Sequence, residues 1–238
     1  MELVEIEVGC GTSPRRPGVI NCDLYPGPNV DVTFNLQREW PFADASISRV
    51  RGFHVLEHLD EPKKFFREAW RVLAPGGLVL LYLPYGPSDD GMTDITHVRY
   101  WLPGTFAFLQ PSYDDVSGNP QHGTWRWPFE VQYVACRINP ALRWTFVGPW
   151  RRWTLRIPWF LWNGHQEMIV SLKALKTPEA VAEFHRNGRP NMVPVAQVVG
   201  ENDIEGRPLA PGEGRKFVQL NNGGLITRER KRHVPQPT

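Results

Sequence analysis

The stretch Val-Glu-Ile-Glu-Val-Gly-Cys-Gly-Thr-Ser-Pro-Arg-Arg-Pro-Gly-Val-Ile-Asn-Cys-Asp, residues 4–23, decides how this chain is read. Val4, Ile6 and Val8 alternate with Glu5 and Glu7, the period of two expected of a strand. Gly9 and Gly11 come next, so the backbone can turn and a ligand can approach with no Cβ in the way. A second apolar run then ends in Asp23. Open α/β sheets bind small molecules at the carboxyl ends of their parallel strands. An acid in that position can accept two hydrogen bonds from a ribose diol, so strand, glycine turn, strand and carboxylate together predict a nucleoside-containing cofactor.

The residues after the glycines narrow the choice. A dinucleotide fingerprint needs a third glycine and a helix whose amino end faces the pyrophosphate. Here Gly11 is succeeded by Thr12, Ser13, Pro14, Arg15, Arg16 and Pro17, and the two prolines oppose a long helix. NAD is disfavoured. The Lys-Ser/Thr pair of a nucleotide-phosphate loop is absent too, which argues against an NTPase.

Six short motifs, in order, carry a family resemblance: Glu-Val-Gly-Cys-Gly (7–11), Ile-Asn-Cys-Asp (20–23), Phe-Asn-Leu (34–36), Trp-Pro-Phe-Ala-Asp-Ala-Ser (40–46), His-Val-Leu-Glu-His-Leu (54–59) and Arg-Val-Leu-Ala-Pro-Gly-Gly (71–77). Read in series they resemble the class I S-adenosylmethionine (SAM)-dependent methyltransferases. The likeness is to small, type 11-like members whose glycine loop passes almost directly into the second strand. It covers residues 3–85 well and the rest loosely. The resemblance implies an α/β fold: a Rossmann-like, mostly parallel sheet with an antiparallel last strand. It implies SAM as cofactor, held by Glu7, Gly9, Cys10, Gly11, Asp23, Leu24, Asn35, Leu36 and His54. In that scheme Asn35 meets the adenine edge, Leu36 packs on its face, and the His54 backbone takes the methionine part. Family members also carry helices before strand one that cover the cofactor; their lack here makes another segment, or a second subunit in a homo-oligomer, the expected cover.

Composition fits one main domain. The 238 residues can bury a substantial core, and 41% hydrophobic with 22% charged is ordinary for a soluble globular chain. A net charge of +2 is too mild to argue for nucleic acid or membrane. Three cysteines, Cys10, Cys22 and Cys136, form no spaced framework, so a reducing cytoplasm is expected. No signal peptide or membrane span is recognisable.

Along the chain, further strands are expected over residues 30–34, 47–53 and 78–83. Asp60 is read as the N-cap of a helix whose buried side carries Phe65, Phe66, Ala69, Trp70 and Leu73, with Lys63, Lys64, Arg67, Glu68 and Arg71 opposite. Residues 142–147 and 168–175 are read as the last two strands. The methyltransferase-like domain then spans residues 1–176, with an aromatic- and arginine-rich insertion over about 101–165. Residues 177–238 form a C-terminal extension, partly irregular or disordered beyond a helix at 178–187.

The acceptor side is read from two segments. Residues 54–59 predict a short helical turn at a strand's carboxyl end, with His58 facing the pocket and Glu57 read as structural. Residues 94–99, Asp-Ile-Thr-His-Val-Arg, resemble a stretch found in related methyltransferases, which makes His97 the expected general base beside Arg99. Asp89, Asp90, Asp94 and His97 offer a set of metal ligands, but a solvated acidic loop is favoured and no metal is expected. The leading function is therefore methyl transfer to a small-molecule or glycan acceptor. The alternatives are a nucleic-acid or nucleotide methyltransferase using the Trp/Arg region and the basic tail, and a SAM-binding protein without turnover.

Overall fold

Strands form where the apolar runs predict them: β1 (Val4–Val8), β2 (Val19–Asp23), β3 (Val32–Thr33) and β4 (Ile47–Phe53). A 3-10 turn at Leu56–His58 leads into α1 (Pro62–Val72), β5 (Leu73–Pro84) and the short α2 (Asp89–Met92). A 3-10 segment, Pro103–Leu109, precedes β6 (Phe129–Ile138), β7 (His165–Ala174) and α3 (Pro178–Asn187). Then come β8 (Val195–Val199), β9 (Lys216–Asn221) and β10 (Gly224–Arg228). The computed structural model describes residues 3–111, 127–139, 162–187, 195–199, 216–221 and 224–228.

All ten strands join one sheet in the order β10-β9-β8-β6-β7-β5-β4-β1-β2-β3. From β3 to β5 every pairing is parallel, while β7 runs antiparallel to both β5 and β6. This seven-strand, mostly parallel sheet with one reversed strand is the expected Rossmann-like α/β architecture. β8 adds to the β6 edge in parallel, and β9 and β10 extend it as antiparallel strands. The order reverses at β1, whose two neighbours β2 and β4 lie on opposite sides of it, so the topological switch point falls at the glycine turn.

β5 shows why its apolar run is continuous. Val79, Leu81 and Leu83 enter the main core with Ile6, Val8, Val50, Phe65 and Phe66, whereas Leu80 and Tyr82 join a smaller cluster with Ala135 and Ile169 on the other face. Both faces are buried, and alternation disappears. At β1 and β4 the second face is charged instead. Glu5 lies opposite Arg49, and Glu7 opposite Arg51, in the parallel register. Glu5 pairs with Arg51, and Arg49 lies 3.9 Å from Glu5. The arginines that interrupt β4 therefore neutralise Glu5, the first of the two glutamates that alternate along β1.

Four expectations are corrected. The strand beside β7 is Phe129–Ile138, inside the region read as an insertion, and not residues 142–147, which lie outside the described residues. Glu61, not Asp60, precedes α1 and makes no side-chain cap bond; Pro62 takes the first helical position, where its fixed φ suits the helix and its missing N–H costs nothing. The helix ends at Val72, so Leu73 opens β5 and Pro75, Gly76 and Gly77 lie within the strand as a register irregularity. Glu68 is buried rather than solvated: it accepts from the Trp40 amide at 3.0 Å and pairs with Arg71 at 2.9 Å.

Candidate active site

The glycine turn leaves β1 with Gly9 and Gly11 at φ values of +64° and +52°, where a side chain is strained. A Cβ on Gly9 would stand 2.7 Å from Val55 Cγ2, whereas one on Gly11 would meet nothing within 4 Å. Gly9 is therefore required twice over, and the contact seats the glycine loop against the turn after β4. Asp23, at the end of β2, closes the same crevice. Its Oδ2 accepts from the Gly11 amide at 2.8 Å and its Oδ1 from the Tyr25 amide at 3.1 Å. The two glycines and the carboxylate thus share one environment at the carboxyl ends of adjoining parallel strands. Leu24, next in the chain, is half exposed.

The other residues assigned to the cofactor occupy three settings. Glu7 is buried and faces Arg16, whose guanidinium lies 5.6 Å from the centre of the Phe53 ring. Cys10 is buried beneath the turn, and burial, reinforced by Asp23, raises its thiol pKa. Asn35 is exposed and its Oδ1 accepts from the Gln37 amide at 2.8 Å, while the Leu36 side chain is only 9% exposed and packs with the main core.

His54 occupies the left-handed region at φ +47° and donates its backbone amide to the Tyr82 carbonyl at 2.9 Å. Its ring sits between two carboxylates, with Nε2 at 2.9 Å from Glu167 and Nδ1 at 3.4 Å from Glu57. The hydrogen bond to Glu167 first, and the proximity of Glu57 second, push its pKa up to about 10. The ring is an imidazolium at neutral pH. Arg137 reaches the other oxygen of Glu167 at 2.6 Å. The sequence motifs single out neither Glu167 nor Arg137. The one signal for Glu167 is a glutamate near the head of an otherwise apolar strand.

On the acceptor side the structure brings His58 and His97 together, their ring centres 4.8 Å apart. His97 Nδ1 lies 2.9 Å from the Gly91 carbonyl. A carbonyl only accepts, so Nδ1 carries the proton and Nε2 is the basic atom. His58 Nδ1 faces the Thr96 carbonyl at 3.3 Å and its hydroxyl at 3.0 Å, which fixes the same tautomer. Thr96 in turn donates its hydroxyl to Asp94 at 2.7 Å. The Val98 amide bonds the Glu57 carbonyl at 3.0 Å, and Arg99 donates to the Asp60 carbonyl at 2.9 Å. These bonds clamp the loop carrying Asp94, His97 and Arg99 onto the turn carrying Glu57 and His58. The acidic set of Asp89, Asp90, Asp94 and His97 is not assembled as one group: Asp89 is engaged by Trp162 at 3.0 Å and Asn163 at 2.8 Å, while Asp94 serves Thr96.

Comparison with known proteins agrees with this geometry. A family model described as a methyltransferase domain matches residues 24–81. A protein of Mycolicibacterium smegmatis named as a probable S-adenosylmethionine-dependent methyltransferase is 37% identical over 76 residues, 30% of this chain and 30% of its own length. A Mycobacterium tuberculosis protein of the same description is 36% identical over 76 residues, 30% of this chain and 28% of its own. The chain thus spans under a third of the length of the curated relatives it matches. Among solved structures, a SAM-dependent methyltransferase from Archaeoglobus fulgidus aligns with a TM-score of 0.46 and 15% identity, over 72% of this chain and 86% of that one. Residues 24–81 are thus similar to a methyltransferase domain, and the sheet built by β1 to β7 around them has the Rossmann-like, mostly parallel order with one reversed strand.

Proposed function

We propose that this chain transfers the methyl group of SAM to a small-molecule or glycan acceptor held at the His58, His97 and Arg99 edge. The observation that carries the reading is the Asp23 carboxylate folded onto the Gly11 amide, at a turn where a Cβ on Gly11 would meet nothing within 4 Å. Such a turn suits a nucleoside: the remaining lone pairs of Asp23 suit a ribose diol, and Leu24 offers the adenine a face. SAM supplies an electrophilic methyl on a sulfonium, whose S–C bonding pair departs with S-adenosylhomocysteine.

The chain's own task is to hold the acceptor in line and take its proton. As the acceptor oxygen bonds to carbon, His97 Nε2 accepts the hydroxyl proton. Asp94, whose Oδ2 lies 3.8 Å from Nε2, favours the resulting imidazolium. Arg99, fixed by Asp60, is an anchor for anionic or hydroxyl-rich parts of the acceptor. The mild net charge supports a small acceptor over nucleic acid.

Calorimetric titration of S-adenosylhomocysteine tests the reading. Asp23→Ala removes two hydrogen bonds to a charged group, so affinity is expected to fall roughly ten- to a hundredfold. Equal affinity in both proteins would take the ribose away from Asp23.

A further inference from the structure

We propose that Glu57, His58 and His97 bind a divalent transition-metal cation beside the methyl-transfer crevice. One ligand atom from each of the three lies within 4.8 Å of the others. Glu57 is the observation that demands an occupant. Its side chain is 0% exposed, and among the described residues neither carboxylate oxygen has a hydrogen-bond partner. Its nearest counter-charge is His54 Nδ1, 3.4 Å from Oε1, but the other ring nitrogen of His54 is given to Glu167 at 2.9 Å. A buried carboxylate is costly unless it is paired, hydrogen-bonded or on a metal. Oε1 faces the His54 imidazolium, and Oε2 is left without a hydrogen-bond partner among the described residues.

Both histidines are already oriented as ligands. Each turns Nδ1–H to a backbone carbonyl, His97 to Gly91 at 2.9 Å and His58 to Thr96 at 3.3 Å, so each keeps an Nε2 lone pair. That outer contact is the one metal-bound histidines usually make. Metal bonds of about 2.0–2.1 Å place tetrahedral ligands roughly 3.3 Å apart, so the cluster has to tighten by at most about 1.5 Å. Two imidazoles and one carboxylate favour zinc, cobalt, iron or manganese over magnesium or calcium. Asp94, near His97 Nε2, adds negative charge to the same place.

Three protein ligands leave a position open for substrate. An acceptor hydroxyl bound there loses its proton more readily, and that proton passes to solvent while His97 serves as ligand instead of base. This catalytic use rests on the methyl-transfer reading; the binding of the ion does not.

The test is titration of chelator-treated, tag-free, full-length protein with cobalt(II) chloride, monitored by visible d–d absorption and metal analysis. One cobalt per chain is expected, with affinity at least tenfold weaker in His97→Ala and in His58→Ala, and similarly in Glu57→Gln. Circular dichroism identifies variants that fail to fold, and the less buried His97 and His58 keep the test open if the Glu57 variant does. Absence of stoichiometric cobalt, or cobalt binding unchanged in both histidine variants, overturns the site. S-adenosylhomocysteine titration of the same samples keeps the two readings apart: cobalt retained with no nucleoside binding defeats methyl transfer alone, and the reverse defeats the metal site alone.

Discussion

Gly9 and Gly11 look alike in the sequence, yet the structure asks different things of them. Both hold a left-handed backbone, but only at Gly9 would an added Cβ meet Val55. Gly11→Ala is expected to cost the backbone penalty alone, about 1 kcal/mol, and Gly9→Ala that penalty plus overpacking, about 2–4 kcal/mol in all. Adding Val55→Ala to Gly9→Ala relieves the contact without the torsion, so part of the loss returns. Urea unfolding of the four proteins measures this, and equal losses at Gly9 and Gly11 would contradict the assigned contact. His54 makes the same point about charge: its imidazolium depends on Glu167 and Glu57, which arrive from β7 and from the turn after β4.

At the scale of the element, α1 is fixed to the sheet by more than its apolar stripe. Arg71, in the last turn, donates to the Trp40 carbonyl at 2.9 Å, the Phe42 carbonyl at 2.9 Å, Asp44 at 2.7 Å and Glu68 at 2.9 Å. Its guanidinium ties the 40–44 segment to the helix, while Glu68 neutralises it from within the core. Arg71→Ala leaves the buried Glu68 carboxylate with only the more distant Arg67, 3.6 Å away, and up to about 3 kcal/mol of stability should be lost. Arg71→Met with Glu68→Gln removes both charges and should recover part of it. A loss under about 0.5 kcal/mol for Arg71→Ala, the range of an exposed pair, would show that the network contributes little.

The whole molecule joins two titrating histidines with opposite shifts. His165, buried at the start of β7, is lowered by desolvation to about 4, below its ordinary 6.5. The unfolded chain therefore binds the extra proton between those values, and stability falls as pH drops from about 6.5 towards 4. His54 is raised to about 10, so its contribution is complete below about 6.5 and is lost as pH rises through 10. Thermal midpoints measured from pH 4 to 10 should decline on both sides, and His54→Asn should flatten the alkaline limb selectively. An alkaline limb identical in wild type and variant would remove His54 from that role. No described helix is long and apolar enough to cross a membrane, and the three cysteines are free and buried.

Local pattern is enough for the parallel half of the sheet. Period-two alternation places β1, short apolar runs place β2 and β4, the paired prolines after Gly11 exclude a long helix there, and the helical spacing of Phe65, Phe66 and Ala69 locates α1, because each signal lies within a few residues. The β6 strand escapes such a pattern for the opposite reason: Phe129–Ile138 mixes Glu130, Gln132 and Arg137 with apolar residues, and only pairing with β7 and β8 makes it a strand. Motif and chemistry name Gly9, Asp23, His58 and His97 as candidates, and the fold brings Asp23 to the glycine turn and His58 to His97. That Glu68 is buried, that Arg49 and Arg51 answer Glu5, and that His97 comes close to Glu57 and His58 depends on partners from other elements. Sequence determined the strands, turn and helix of the parallel half, since backbone preference acts locally; tertiary structure decided the β6 strand and which charges are paired, since strand pairing and Coulomb energy depend on distances that only the fold sets.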